Sequence, residues 1–133
     1  MEYLLDTNIC IYIIKRRPEE IFNKFLTLSL GSVAISSITL AELDYGISKS
    51  GFPERNKEAL EKFLTPIEVI EFGVEAAEQY GKIRFDLEKK GTPIGPLDLL
   101  IAAHAKSLNL TLVTNNEKEF TRISDLKVEN WIG

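Results

Sequence analysis

Residues 2–15 read EYLLDTNICIYIIK. The apolar run at 2–5 is broken by Asp6, and apolar residues resume at Ile9. EYLL has the length and composition of a buried strand, and TNICIYIIK at 7–15 predicts a short helix. A strand that passes through one polar residue straight into a helix is the opening of a β-α unit. Repeated along a chain, such units build a parallel sheet covered by helices on both faces.

The pattern does repeat. From Glu19 to about Ser29, Ile21, Phe22, Phe25 and Leu26 share one helical face. SVAIS at 32–36 reads as a second strand, and a helix is expected from Thr39 to about Lys49. In GFPERNKEALEKFLTP the residues Ala59, Leu60, Phe63 and Leu64 make an amphipathic helix that stops at Pro66. IEVI at 67–70 is a third strand. A long helix follows from about Val74 to Lys89, ended by Gly91. Pro96 opens a helix running to Leu108. TLV at 111–113 is a fourth strand, a short helix covers roughly Glu117 to Ile123, and KVENW at 127–131 is a candidate fifth strand. The expectation is one α/β domain over residues 1–133, with a central parallel sheet of four to five strands flanked by helices on both faces. In such sheets, functional groups collect beyond the carboxyl ends of the strands.

With 133 residues and a hydrophobic fraction of 44%, the chain has enough apolar material for one core. One cysteine, Cys10, excludes an internal disulfide or a multi-cysteine zinc site, and its apolar surroundings suit a buried thiol. The N-terminus shows no basic leader, and no long stretch is free of polar residues, so a cytoplasmic protein without a membrane span is expected. The net charge of −4 argues against a surface that attracts nucleic acid everywhere. A local basic rim remains available from Lys15, Arg16, Arg17, Lys49, Arg55 and Arg84, each of which also suits a plain solvated position.

The strand-to-helix junctions carry the notable polar residues: Asp6 after YLL, Glu42 in TLAEL, Asp98 in GPLDLLIAAHA, and Asn115, Asn116 and Glu119 in TNNEKEF. All have an ordinary structural use. Asp6 suits a helix N-cap, Thr39 with Glu42 matches a capping box, Asp98 falls in a first helical turn, and Asn116 with Glu119 is a cap-and-acid pair. Yet Asp6, Glu42 and Asp98 each interrupt an apolar run, where an ionised carboxylate is costly without a partner. No basic residue lies close to them in sequence. A divalent cation with a preference for oxygen ligands, Mg²⁺ or Mn²⁺, would compensate all three.

Such a centre suits phosphodiester hydrolysis. A carboxylate-bound metal lowers the pKa of water and stabilises charge on phosphate, while a carboxylate not used for coordination receives the proton. His104 is the only histidine; it sits in the apolar helix IAAHAKSL and reads as a structural residue, without an identifiable orienting partner.

LLDTNICIYI, SSITLAELDYGISKS, PIGPLDLLIAAHAKSLNLTLVTNN and EKEF, in this order, resemble PIN-domain ribonuclease toxins of the VapC group, from Tyr3 to about Trp131. The resemblance implies a PIN-like fold and a Mg²⁺- or Mn²⁺-dependent endoribonuclease acting on structured RNA, with transfer RNA a common substrate class. It places the family's constant acids on Asp6, Glu42 and Asp98, its strand-four motif on Thr114 and Asn116, and a further acid on Glu119; Thr7 and Asn8 accompany Asp6 as supporting residues. Asn116 is a neutral departure from members with aspartate there, which leaves one or two metal ions open. The resemblance also implies a toxin–antitoxin pair, a small DNA-binding antitoxin that blocks the acidic groove, and a homodimer. Ile11, Ile14, Phe22 and Leu64 fit the antitoxin groove, a dimer face or the core equally well. Three other readings stand beside it: a housekeeping or DNA-directed nuclease using the same site, a non-catalytic α/β binding module, and a phosphoacceptor domain, for which no convincing lysine partner is present.

Overall fold

In the computed structural model, which describes residues 1–132, the chain alternates strands and helices as the periodicity predicts. The elements are β1 (Tyr3–Leu5), α1 (Thr7–Lys15), α2 (Glu19–Leu26), β2 (Val33–Ser36), α3 (Ser37–Ser48), α4 (Pro53–Leu64), β3 (Glu68–Ile70), α5 (Val74–Lys90), α6 (Pro96–Leu108), β4 (Thr111–Val113), α7 (Glu117–Phe120) and β5 (Val128–Glu129). α7 is shorter than expected: the chain turns after Phe120, and Asp125 takes a left-handed φ of 62°.

The five strands form one sheet in the order β3-β2-β1-β4-β5, every pair parallel. Both sheet faces are covered, and the period-2 alternation of strands sorts the core in two. Tyr3, Leu5, Val33, Ile35 and Val113 pack with α1 to α4 on one side. Leu4, Ala34 and Leu112 pack with α5, α6 and α7 on the other. Ile11, Ile14, Phe22 and Leu64 are half-buried against the first of these cores. No helix among the described residues is long and apolar enough to cross a membrane.

β1 lies at the middle of the sheet, and the chain leaves it toward β2 and β3 before returning to add β4 and β5 on its other side. The carboxyl end of such a central strand opens into a crevice between the helices that leave in opposite directions. Asp6 occupies that point. Its amide donates to Val113 O at 3.0 Å, continuing the ladder, and its carbonyl accepts from Cys10 N at 3.2 Å, starting α1.

Candidate active site

Asp6 is the N-cap of α1, and its Oδ1 accepts from Ile9 N at 2.9 Å. The capping reading therefore holds for this residue, but it uses one oxygen on one amide. The carboxylate is only 5% exposed. Burial raises its pKa; the Thr114 hydroxyl and the amides of Ile9 and Asn8 oppose that, and the charge of Glu42 adds to it. Asn8 is exposed, whereas Thr114 is wholly buried and its Oγ1 also accepts from Asn116 N at 3.0 Å.

Glu42 corrects the sequence reading. The N-cap of α3 is Ser36, whose hydroxyl accepts from Ile38 N at 3.0 Å, and the helix starts at Ser37. Thr39 is inside the helix and buried, so there is no Thr39–Glu42 capping box. Glu42 lies in the second turn, where the backbone amides are engaged within the helix. Its Oε1 accepts from Thr7 Oγ1 at 2.8 Å, a contact between the first turn of α1 and the second of α3.

The N-cap of α6 is Gly95, which has no side chain to cap it, and Asp98 is in the first turn, as expected. Its pKa is pushed up to about 6, first by burial, then by the charges of Glu119, Asp6 and Glu42, and by a hydrogen bond with Glu119. The charges of Glu119, Asp6 and Glu42 are thus all close enough to act on Asp98. Glu119 is pinned there: Oε1 accepts from Gly95 N at 2.9 Å, and Oε2 accepts from Asn116 Nδ2 at 2.6 Å. Asn116 begins α7 without capping it through its side chain; its amide serves Glu119 instead. The Gly95 amide is a functional group that sequence reading passed over, because PIGP signals only a stiff loop.

His104 is 1% exposed, and burial lowers its pKa against the pull of a hydrogen bond to the Glu71 backbone. Its Nδ1 lies 2.8 Å from Ser36 Oγ and its ring meets Phe72 edge to face at 5.4 Å. It is a structural residue, and Ser36 is the partner hidden from the sequence. Cys10 is buried, and burial pushes its thiol well up, which removes it as a nucleophile.

The basic residues divide. Lys15 lines a groove of about 300 Å³ with Ile11, Ile14, Glu42, Leu43, Gly46 and Ile47. Arg16 lies over Phe22, Lys49 over Tyr45 and Arg55 over Phe52, at 5.0, 4.9 and 5.9 Å from the ring centroids. Arg84 is engaged by Glu88 at 3.1 Å and lies over Tyr80. Arg17 is exposed.

Several carboxylates that repel one another, with all-oxygen donor chemistry and no ion-paired base among the described residues, fit a hard divalent cation. No three of the described acids, thiols or imidazoles close into a finished cage. Mg²⁺ does not need one, because it keeps several waters and takes one or two carboxylates.

The PIN domain family profile matches residues 3–126. Ribonuclease VapC2 of Rickettsia felis is 51% identical over 132 residues, covering 98% of each chain. A tRNA(fMet)-specific endonuclease VapC of Shigella flexneri is 45% identical over 131 residues, again 98% of each. The crystal structure of VapBC2 from Rickettsia felis bound to a DNA fragment from their promoter contains a chain that superposes with a TM-score of 0.93 at 49% identity, covering 99% of this chain and 100% of that one. With this fold and these acids at the end of its central strand, the chain belongs to the PIN-domain family, in its VapC branch.

Proposed function

We propose that this chain, residues 1–133 as one PIN domain, is the toxin of a type II toxin–antitoxin pair and an endoribonuclease that hydrolyses phosphodiester bonds in structured RNA, with transfer RNA as the substrate class. The observation that carries this reading is the placement of acids by the elements around the end of β1: Asp6 caps α1, Glu42 accepts from Thr7 of α1, Asp98 stands in the first turn of α6, and Glu119 accepts from the Gly95 amide that precedes α6. Relatives named ribonuclease or tRNA(fMet)-specific endonuclease support it at 41–51% identity.

PIN-domain nucleases generally use divalent metal ions. Here the ion proposed is Mg²⁺, with Mn²⁺ able to substitute, held by Asp6, Glu42 and Asp98. When bound, it supplies a water of lowered pKa and charge stabilisation at the phosphate. The chain's own residues do the rest. Thr7 and Thr114 hold the carboxylates of Glu42 and Asp6 through their hydroxyls. Asp98, hydrogen-bonded to Glu119 and with its pKa pushed up to about 6, can take up a proton in that range. Asn116 and the Gly95 amide keep Glu119 turned toward that pair. Asn8 borders the site at the start of α1.

The partner in this reading is a small DNA-binding antitoxin whose segment fills the groove lined by Ile11, Ile14 and Leu43, and so blocks the acids beyond Glu42. A homodimer and a cytoplasmic location complete it. The test is direct. Pure protein with transfer RNA is cleavage-active in Mg²⁺ or Mn²⁺, silent in EDTA and restored by either ion; sequencing RNA ends after brief expression gives the cut. EDTA-resistant cleavage overturns the metal assignment, and preference for single-stranded or flap DNA favours the DNA-directed reading.

A further inference from the structure

Glu42 shares one face of α3 and its C-cap with two residues that the proposed chemistry leaves unused. Tyr45 and Lys49 stand at i+3 and i+7 from it, so the three form a stripe. At 1.5 Å per residue, Tyr45 lies about 4.5 Å and Lys49 about 10.5 Å along the axis from the acid. Tyr45 is 66% exposed, unusual for a large aromatic side chain, and Lys49 Nζ lies 4.9 Å from its ring centroid. Among the described residues no carboxylate pairs with Lys49, whereas Lys57, Lys62 and Lys90 each have one. Asp44, the other acid of this helix, points elsewhere and is bonded to Lys57 at 3.0 Å.

The arrangement recurs just beyond. Phe52, also 66% exposed, lies under Arg55 at the start of α4. The corner between the two pairs is braced: Lys49 N donates to Tyr45 O, Ser50 N to Ile47 O, and Asn56 Nδ2 to Ser50 Oγ at 3.0 Å.

We propose that Tyr45 and Lys49 form a binding platform for an unpaired nucleotide of the RNA, next to the bond that is cut, with Phe52 and Arg55 extending it. This rests on the ribonuclease reading above. The chemistry favours RNA over an apolar partner. An exposed ring offers a stacking surface to any base, and a cation that has no carboxylate beside it meets the adjoining phosphate. Lysine suits the second role, as a point charge on a flexible stem.

The experiment uses the full chain, transfer RNA for kinetics and a short labelled oligouridylate for binding. Tyr45→Ala is expected to raise KM and weaken oligouridylate binding about tenfold, the loss of one stacked base, with kcat unchanged. Tyr45→Trp restores both. Lys49→Ala flattens the salt dependence of binding by about 0.7 in log–log slope, and Lys49→Arg keeps it. Circular dichroism confirms that these surface variants fold. Wild-type cleavage with unchanged KM and oligouridylate affinity in Tyr45→Ala overturns the platform alone. So does a changed oligomeric state in Tyr45→Ala with RNA affinity intact, which would make this face a protein interface. A wild-type protein that neither binds nor cleaves RNA overturns the ribonuclease reading and the platform with it.

Discussion

Thr7 Oγ1 donates to Glu42 Oε1 across 2.8 Å, and so ties the helix that leaves the central strand to the helix that leaves its neighbour. Thr7→Val keeps the shape and removes the donor. A hydrogen bond to a charged group contributes about 1.5–3 kcal/mol when buried, so at this half-buried position a loss of about 1 kcal/mol is expected. The larger effect falls on Mn²⁺ affinity, because Glu42 loses its fixed orientation: a drop of about 10-fold or more by calorimetry, with Thr7→Ser close to wild type. Equal metal affinity in Thr7→Val would show that Glu42 needs no such support.

Glu42→Gln and Asp98→Asn separate charge from shape. Both should fold, and both should lose Mg²⁺-dependent RNA cleavage by at least about 100-fold, along with cellular toxicity. Asp98→Asn should also raise the melting temperature of metal-free protein, since it removes a carboxylate that its neighbours repel. Full cleavage by both variants would sink the metal-site assignment.

The pH dependence of stability follows from the same group. Asp98 holds its proton more tightly folded than unfolded, from its ordinary value near 4 up to about 6. The folded state therefore binds more protons in that window, and metal-free stability falls as pH rises through it, then levels off. His104 acts in the opposite sense, because its lowered pKa makes stability fall as pH drops below the ordinary histidine value. Subtracting the melting curve of Asp98→Asn from that of wild type isolates the first effect. A difference that does not change between pH 4 and pH 6 would contradict the crowding of the four acids.

His104 and Ser36 join the helix that carries Asp98 to the cap of the helix that carries Glu42. His104→Ala leaves a cavity and removes the ring's hydrogen bond to the Ser36 hydroxyl, and should cost about 3 kcal/mol. Ser36→Ala should cost about 1 kcal/mol through the lost cap. Denaturant unfolding of the double variant should show clear non-additivity, as expected for partners in contact. Strict additivity would mean that the ring is held by packing alone.

Much of this architecture was legible. The bounds of α1, α6 and β4 match their expectation because Asp6 and Pro96 mark helix starts and TLV sits between turn residues. The sequence does not settle the start of α3, because Ser36 and Thr39 are both acceptable caps; pairing of Ser36 with Ile70 in the sheet decides between them, and no local pattern contains that fact. The acids of the candidate site stand out in the sequence as interruptions of apolar runs. What holds them does not: Thr7 and Glu42 are 35 residues apart, Gly95 and Glu119 are 24 apart, and His104 and Ser36 are 68 apart. Such partners meet only through the fold.

The place of β1 between β2 and β4 has a consequence for synthesis. During translation Asp6 emerges first, yet its strand gains its second neighbour only at Thr111–Val113, and Glu119 follows later still. A chain still short of those residues has Asp6, Glu42 and Asp98 but neither Glu119 nor the enclosure that β4 provides. Closure of the candidate centre is thus tied to the return of the chain across β1: until the segment from Thr111 to Glu119 has joined the sheet, Asp6 lacks both Thr114 and its second neighbouring strand.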